Sequence, residues 1–529
     1  MSFSLVLMET TMDTPAIEAG LRQFLLVLSV ALGVATLSRA ISWLRSIPYT
    51  LLLLLVGLGL AVLDVRFINL SPELILFIFL PPLLFEAAWN IQWANLRRDL
   101  LPIGLYAVGG VVICVGGLFW GLREFAGVSL ATALLVGASL AATDPVSVVA
   151  LFRDFGVDRR LTTLMEGESL FNDGVAVVAF NLLLGLALGS DQFEISVTVI
   201  RFVVFVAIGV SVGGLIGFGL SFLTQRFDLP LVEQSLTLVA AYGTYLIAEQ
   251  LQGSGVIAVV TTGLILGNFG SRIGMNPRTR LVVSEFWDFV AFLVNSIVFL
   301  LIGDQVVFAG LGENLPTILI AISVIIGVRA ISIFGLGLIS NRFGADISGR
   351  GQVVLWWGGL RGSVAVALAL SVPAAIPERE DIIAIVFGVM LFTLLVQGLT
   401  TKPLLTALGL LGDQPLRQHY AQQVARRIAL NRVLVRLQQV LRSQELDLDF
   451  CQTQIVLVKE KIEQIQAEIN VLQRQHPDLQ SFALQEFKAE LLAIEANTYA
   501  ELMRAGQLKD DLSLILQSVL VDPEESTAV

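Results

Sequence analysis

Residues 49–63 read YTLLLLLVGLGLAVL. The stretch carries no charge, and its apolar residues do not alternate with polar ones. A strand of a membrane barrel needs that period-2 alternation, so the stretch reads as a helix. Similar stretches recur from about Gly20 to Leu411, each near the ~20 residues that a helix needs to cross a bilayer. Only 15% of the 529 residues are charged, against roughly 25% in an average soluble domain. The fold class is therefore an all-α polytopic membrane protein.

Apolar helices are expected near 21–44, 48–63, 72–90, 100–121, 129–152, 163–189, 196–223, 232–251, 254–269, 284–302, 315–340, 351–371 and 382–408. That makes about 13 spans. The shortest, 254–269, follows Gly253-Ser254-Gly255, which leaves a broken or re-entrant segment open. Arg45, Arg97, Arg98, Arg153, Arg159, Arg160, Arg226, Arg272, Arg278, Arg280, Arg342 and Arg350 fall in alternate loops, and the intervening loops hold mainly Arg66, Arg123 and Arg379. The positive-inside rule makes the Arg-rich loops cytoplasmic. The N-terminus is then outside and the C-terminus inside, as an odd span count requires. Three regions follow: an extracytoplasmic N-terminus (1–20), a transmembrane domain (21–411) and a cytosolic helical tail (412–529). Residues 1–20 lack the basic start of a signal peptide, so the first span is expected to be retained.

From Arg417 to Arg442 the tail has no acidic residue, and Val424, Ile428, Val433, Leu437 and Val440 recur at helical spacing. Such a basic amphipathic helix suits the anionic inner leaflet or the cytoplasmic face of the membrane domain. Two more helical stretches, about 452–475 and 480–521, flank His476-Pro477. The tail is a solvated appendage or a regulatory element.

The composition also excludes several classes. Cys114 lies in an apolar span and Cys451 in the tail, which gives neither a disulfide framework nor metal-ligand spacing. Both histidines, His419 and His476, are in the tail, so no histidine-ligated metal centre sits in the membrane. A net charge of −11 argues against nucleic acid as a partner. No cofactor is expected, and the membrane region offers no constellation for an enzyme.

An ionisable side chain inside the bilayer is a functional-site hypothesis by default. In MEGESLFNDG, Met165 to Gly174, three carboxylates fall within eight residues. Glu166, Ser169 and Asp173 share a helical face, and Glu168 and Asn172 form an i, i+4 pair on the adjoining face. Asp173 is near mid-span, whereas Glu166 is a solvated entrance residue. In AATDPVSVV, Ala141 to Val149, Pro145 lacks an N–H and disfavours helix at Asp144. The span should break there, freeing carbonyls around Ala141 to Thr143 and leaving Asp144 as N-cap with Pro145 at the first helical position. In WWGGLRGSVAVALAL, Trp356 to Leu370, Gly358, Gly359 and Gly362 weaken a second span around Arg361, which answers exposed carbonyl ends or a carboxylate. Each interrupted span is the penultimate one of a six-helix group, spans 1–6 and 8–13. Matching interruptions point to an inverted repeat and to the substrate site. Glu86 lies behind the kinking pair Pro81-Pro82. Arg329 lies deep in its span and needs Glu168 or Glu86 as partner. A buried Glu168–Arg329 pair holding two helices is the favoured reading.

Five of these stretches, in this order, carry a resemblance over about residues 20–410: FIFLPPLLFEAAW, AATDPVSVVALF, LMEGESLFNDGVAVV, GVRAIS and WWGGLRGSVAVALAL. The chain resembles the NhaP/NHE-type sodium/proton antiporters of the monovalent cation:proton antiporter superfamily, most of all the cyanobacterial NhaP-like members. The resemblance implies inverted six-helix repeats, two broken crossing helices, a dimerisation domain, a mobile core domain and hence a homodimer. It implies that Asp173 of the pair Asn172-Asp173 binds cation or proton. Asp144, Ser169 and the Thr143 backbone would line the same site, with sodium held at Asp173, Ser169 and Thr143, and Glu86 would face it. It implies a stabilising pair of Glu168 with Arg329, and charge compensation by Arg361 at the broken helices. A multi-pass protein of a bacterial inner (plasma) membrane, serving pH and sodium homeostasis, is the expected setting.

The chemistry follows from one carboxylate. Burial disfavours its charged form and a bound cation favours it, so cation and proton compete. Hard oxygen ligands suit sodium or lithium. If the same carboxylate carries either ion, both crossing states are neutral and exchange is one for one. Asn172, unlike an Asp, adds no second titrating charge. Potassium/proton exchange is the runner-up, since ligand type does not separate the two cations, and a cation channel is the less favoured alternative.

Overall fold

The computed structural model describes residues 14–41, 44, 47–65, 67, 70–189, 195–224, 229–275, 277–411, 414–443 and 448–475, with single positions at 479, 484, 487, 491, 494 and 498. Among them every regular element is a helix. The chain divides into two compact units at Leu410, the turn Asp154–Gly156 apart.

In the first unit the helices are α1 (Thr14–Ala40), α2 (Tyr49–Val62), α3 (Leu80–Asn90), α4 (Trp93–Arg98), α5 (Leu100–Gly104), α6 (Gly110–Gly121), α7 (Leu130–Ser139), α8 (Val146–Phe155), α9 (Arg159–Ala187) and α10 (Ile195–Thr224). They continue with α11 (Pro230–Gln250), α12 (Gly255–Ile265), α13 (Pro277–Asp304), α14 (Phe308–Glu313), α15 (Leu315–Arg342), α16 (Gly349–Trp357), α17 (Ser363–Leu370), α18 (Arg379–Phe392) and α19 (Leu399–Ala407). Wider-wound turns, such as Leu74–Phe79 and Leu105–Gly109, join some of these into longer rods. Every apolar stretch read from the sequence carries helix. Among the described residues, seven helices are single rods long and apolar enough to cross a membrane, so the chain is a polytopic membrane protein.

The stretch 254–269 is not broken. Ser254 caps α12 by accepting from Ile257 N, and wide turns over Leu266–Gly274 extend the helix. Two other stretches are interrupted, between α7 and α8 and between α16 and α17. Arg45, Arg66 and Arg226, used to orient the chain, lie outside the described residues.

Helices α5, α6, α7 and α9 pack chiefly with one another and with α15 to α18, while α1 to α3 pack with α10 to α13. Helix α9 also reaches the second group, through α3, α10 and α12. Lipid tails give helices no hydrophobic reason to associate, so close backbone approach through small residues must supply the attraction. Helices α2 and α13 use it: Gly57 lies against the backbone of Leu300 and Gly303, and Gly303 against that of Leu54 and Gly57.

The second unit contains α20 (Gln414–Ser443) and α21 (Leu448–Gln475). They run antiparallel, with Arg427 Nη1 donating to Gln466 Oε1 (2.6 Å) and Gln473 Nε2 to Tyr420 Oη (2.8 Å). Leu416, Tyr420 and Val424 pack on Ile465, Ile469 and Leu472. The buried stripe of α20 is therefore set by α21, and Ile428 and Val433, read as part of its apolar face, stay exposed. The helix read over 480–521 lies almost wholly outside the described residues.

Gly59, two residues from Gly57, faces open space, which makes it an internal control. Gly57→Ala should cost about 1–3 kcal/mol, the usual range for overpacking, and lower the melting temperature of the purified protein. Gly59→Ala should leave it unchanged. Equal melting of the two variants would contradict the α2–α13 contact.

Candidate functional site

Between α7 and α8, residues 140–145 are not helical. Val149 N donates to Pro145 O at 2.7 Å, so Pro145, not Asp144, provides the first helical acceptor. Asp144 still caps the helix, from one position further out, by accepting from Val146 N at 3.0 Å. Its own N–H explains the shift: it donates to Leu360 O in the other interruption, at 2.8 Å, which holds Asp144 outside the helix.

The second interruption, residues 358–362, closes on the first. Arg361 Nη1 donates to Ala141 O and Ala142 O, both at 3.1 Å, and Arg361 N donates to Thr393 Oγ1 at 3.1 Å. Of the two partners open to Arg361, the structure selects the carbonyl ends. The glycines are there for contact. A β-carbon on Gly362 would overlap the Asp144 carboxyl group, and one on Gly359 would lie 2.7 Å from Arg329 Nε.

Helix α9 lies along these breaks. Ser169 Oγ donates to Thr143 O, the freed carbonyl that Arg361 does not take. Asn172 Nδ2 is 3.4 Å from both Thr143 Oγ1 and Glu168 Oε1. Asp173 is buried, and its Oδ1 has no hydrogen-bond partner among the described residues. Asp144, Glu168 and Arg361 are near enough to act on it electrostatically. Thr143, Ser169, Asn172, Asp144 and Asp173 thus form one neighbourhood.

Glu168 and Arg329 face each other through two bonds, Nη1 to Oε1 at 2.7 Å and Nη2 to Oε2 at 2.9 Å. Arg329 Nη2 also donates to Leu355 O at 3.2 Å. This planar two-point geometry is the strong form of a guanidinium–carboxylate contact. It ties α9 to α15 and to the end of α16.

Glu86 stands apart from the Asp173 group in its hydrogen bonding. It accepts from Asn90 Nδ2 at 2.6 Å, and the same amide lies 3.3 Å from Asp288 Oδ1. Arg153, Asp288 and Glu166 are its charged neighbours. Glu166 accepts from Arg153 Nη2 at 2.8 Å. Asp288 was legible by the rule that singled out Asp173, because it is an acid within the apolar stretch 284–302. Asn90 and Thr393 carry no such signal; they matter only through contacts the fold creates.

The groups in the neighbourhood of Asp173 are carboxylates, hydroxyls, an amide and the Thr143 carbonyl. All are hard oxygen chemistry, which fits a small monovalent cation and leaves one carboxylate to hold a proton in its place.

Comparison with known proteins shows which family the chain is similar to. The profile of the family described as "Sodium/hydrogen exchanger, transmembrane" matches residues 27–407. The chain is 60% identical over 518 residues to the Na(+)/H(+) antiporter ApNhaP of Aphanothece halophytica, covering 98% of this chain and 99% of that one. It is 56% identical over 509 residues to the low-affinity Na(+)/H(+) antiporter NhaS1 of Synechocystis sp., covering 95% and 97%. In fold it is similar to the sodium proton antiporter MjNhaP1 of Methanocaldococcus jannaschii, with a TM-score of 0.62 at 23% identity, over 75% of this chain and 100% of that structure.

Arg329→Ala leaves the buried Glu168 carboxylate without its guanidinium. The expected loss of stability is about 3–5 kcal/mol, read as a lower melting temperature in detergent. Melting like the unaltered protein would show that the pair does not hold α9 to α15.

Proposed function

The chain belongs to the sodium/hydrogen exchanger family, and we propose that it is a secondary antiporter in which one carboxylate, Asp173, carries either a sodium ion or a proton. The observation that carries this reading is the buried Oδ1 of Asp173, without a hydrogen-bond partner among the described residues, on the helix whose Ser169 and Asn172 reach Thr143 at the break. Asp173, Ser169 and Thr143 hold the sodium ion. Asn172 and Asp144 complete the polar wall, and Arg361 offsets the carbonyl ends of the broken helix. The protein is a transporter and not an enzyme, and its substrates are sodium and protons.

Further parts of the proposal rest on the pattern of helices. The thirteen apolar stretches are thirteen crossings, arranged as inverted six-helix repeats over spans 1–6 and 8–13. The two interruptions supply the crossing broken helices. The group α5–α9 with α15–α18 is the moving core, and α1–α3 with α10–α13 is the scaffold of a homodimer. Glu86 and Asp288 belong to the scaffold group, while Glu166 and Arg153 belong to the core. This acidic seam is the cytoplasmic approach to Asp173. With the basic loops read as cytoplasmic, the N-terminus lies outside and the tail of 412–529 lies on the cytoplasmic side of a bacterial inner membrane. The tail serves assembly or regulation.

A pH-dye assay in proteoliposomes, with sodium, lithium and potassium pulses, tests the function. Sodium and lithium should dissipate the proton gradient. A response to potassium alone would make the protein a potassium/proton exchanger. Asp173→Asn should abolish the response while the protein still melts cooperatively, and residual coupled proton movement would remove Asp173 from its role.

Stoichiometry gives a separate outcome. With one carboxylate for both ions, each crossing state has the same charge. An imposed membrane potential should leave the equilibrium sodium distribution in liposomes unchanged. A shift with potential would contradict one-for-one exchange.

A further inference from the structure

Of the side chains in the membrane unit that have a buried polar atom without a hydrogen-bond partner among the described residues, four line one cavity. Arg329 and Arg361 each have an unpaired Nε, Asn172 an unpaired Oδ1 and Ser332 an unpaired Oγ. Their residues are 8%, 2%, 1% and 2% exposed. The cavity has a volume of about 10 Å³, which is room for about one water molecule. Ser332 was not singled out in the sequence, since a serine in an apolar helix carries no signal of its own. It stands three residues along α15 from Arg329.

We propose that this cavity is a binding site for a single structural water, and that Ser332, through that water, positions Asn172 beside Asp173. The hydrogen-bond valences match. The two Nε–H groups are donors only, and a water oxygen accepts two bonds. Its two protons then go to Asn172 Oδ1 and Ser332 Oγ, which both accept. The Asn172 amide is oriented for this, because its Nδ2 faces the carboxylate of Glu168, a pure acceptor. An anion would meet the two donors but would face Asn172 Oδ1, oxygen against negative charge. A dry void is an apolar device, and this cavity has two guanidinium groups in its wall. The water joins the Glu168–Arg329 pair and Arg361, which holds the broken-helix carbonyls, to the amide next to the exchange carboxylate. Its kinetic arm rests on the reading of Asp173 as the ion carrier; its structural arm does not.

The structural arm is a cryo-EM map of the whole protein at a resolution that shows ordered water. A single peak within hydrogen-bond distance of the four atoms is expected. No peak would overturn the proposal, and a peak that strengthens when bromide replaces chloride would overturn it in favour of an anion. The kinetic arm uses Ser332→Val, which removes the hydroxyl and fills the space, and Ser332→Ala, which removes the hydroxyl alone. Ser332→Val should raise the apparent KM for sodium about 10-fold, the effect of losing one or two hydrogen bonds, with Vmax little changed. Ser332→Ala should raise it only about 2- to 3-fold, since the water keeps three partners. A filled void would behave otherwise, with Ser332→Val melting higher and KM unaltered. If Ser332→Val fails to fold, Ser332→Ala and the map decide. Unaltered KM in Ser332→Ala together with no peak rejects the site, whereas loss of sodium exchange in the unaltered protein would reject only the function proposed above.

Discussion

The guanidinium of Arg361 against the carbonyls of Ala141 and Ala142 is the contact on which the rest of the structure depends. Non-helical backbone at membrane depth is tolerated only where protein or water satisfies its polar groups. Pro145 opens one helix there and the glycines around Arg361 open another. Each break supplies what the other lacks. Arg361 takes two carbonyls, Leu360 O accepts from Asp144 N, and Asp144 caps α8. Ser169 of α9 takes the Thr143 carbonyl. Asp173, one turn further on α9, is thereby set beside the junction.

The charges around the junction divide by partner. Glu168 and Arg329 neutralise each other through two bonds and fix α9 to α15. Arg361 is turned to backbone dipoles. Asp144 spends one oxygen on a helix cap. Asp173 keeps a buried carboxylate oxygen with no hydrogen-bond partner among the described residues. In the proposed reading a proton and a sodium ion are two ways of meeting the same need, each adding one positive charge, and exchange then follows from competition without a second titrating group.

Much of this was legible in the sequence. Apolar length gave the helices, the missing N–H of Pro145 gave the first break, and the cost of charge in lipid picked out Glu168, Asp173, Arg329 and Arg361. The remainder was set by three-dimensional pairing. Sequence spacing left Arg329 with two acids to choose from and Arg361 with a choice between carbonyl and carboxylate. It placed the cap at Asp144 one position too close, because the bond from Asp144 N to Leu360 O spans two distant segments. Ser332 and Thr393 were invisible, since a hydroxyl in an apolar helix has no pattern that separates a contact from a filler. Asp288 was visible and passed over.

Calorimetric titration of sodium into the purified protein, repeated in buffers of different ionisation enthalpy, counts the protons released per ion bound. In acidic solution a count that approaches one is expected. A count near zero would mean that sodium and proton do not share Asp173. A count of two would mean that a second group titrates with it, and either result would contradict exchange at a single carboxylate.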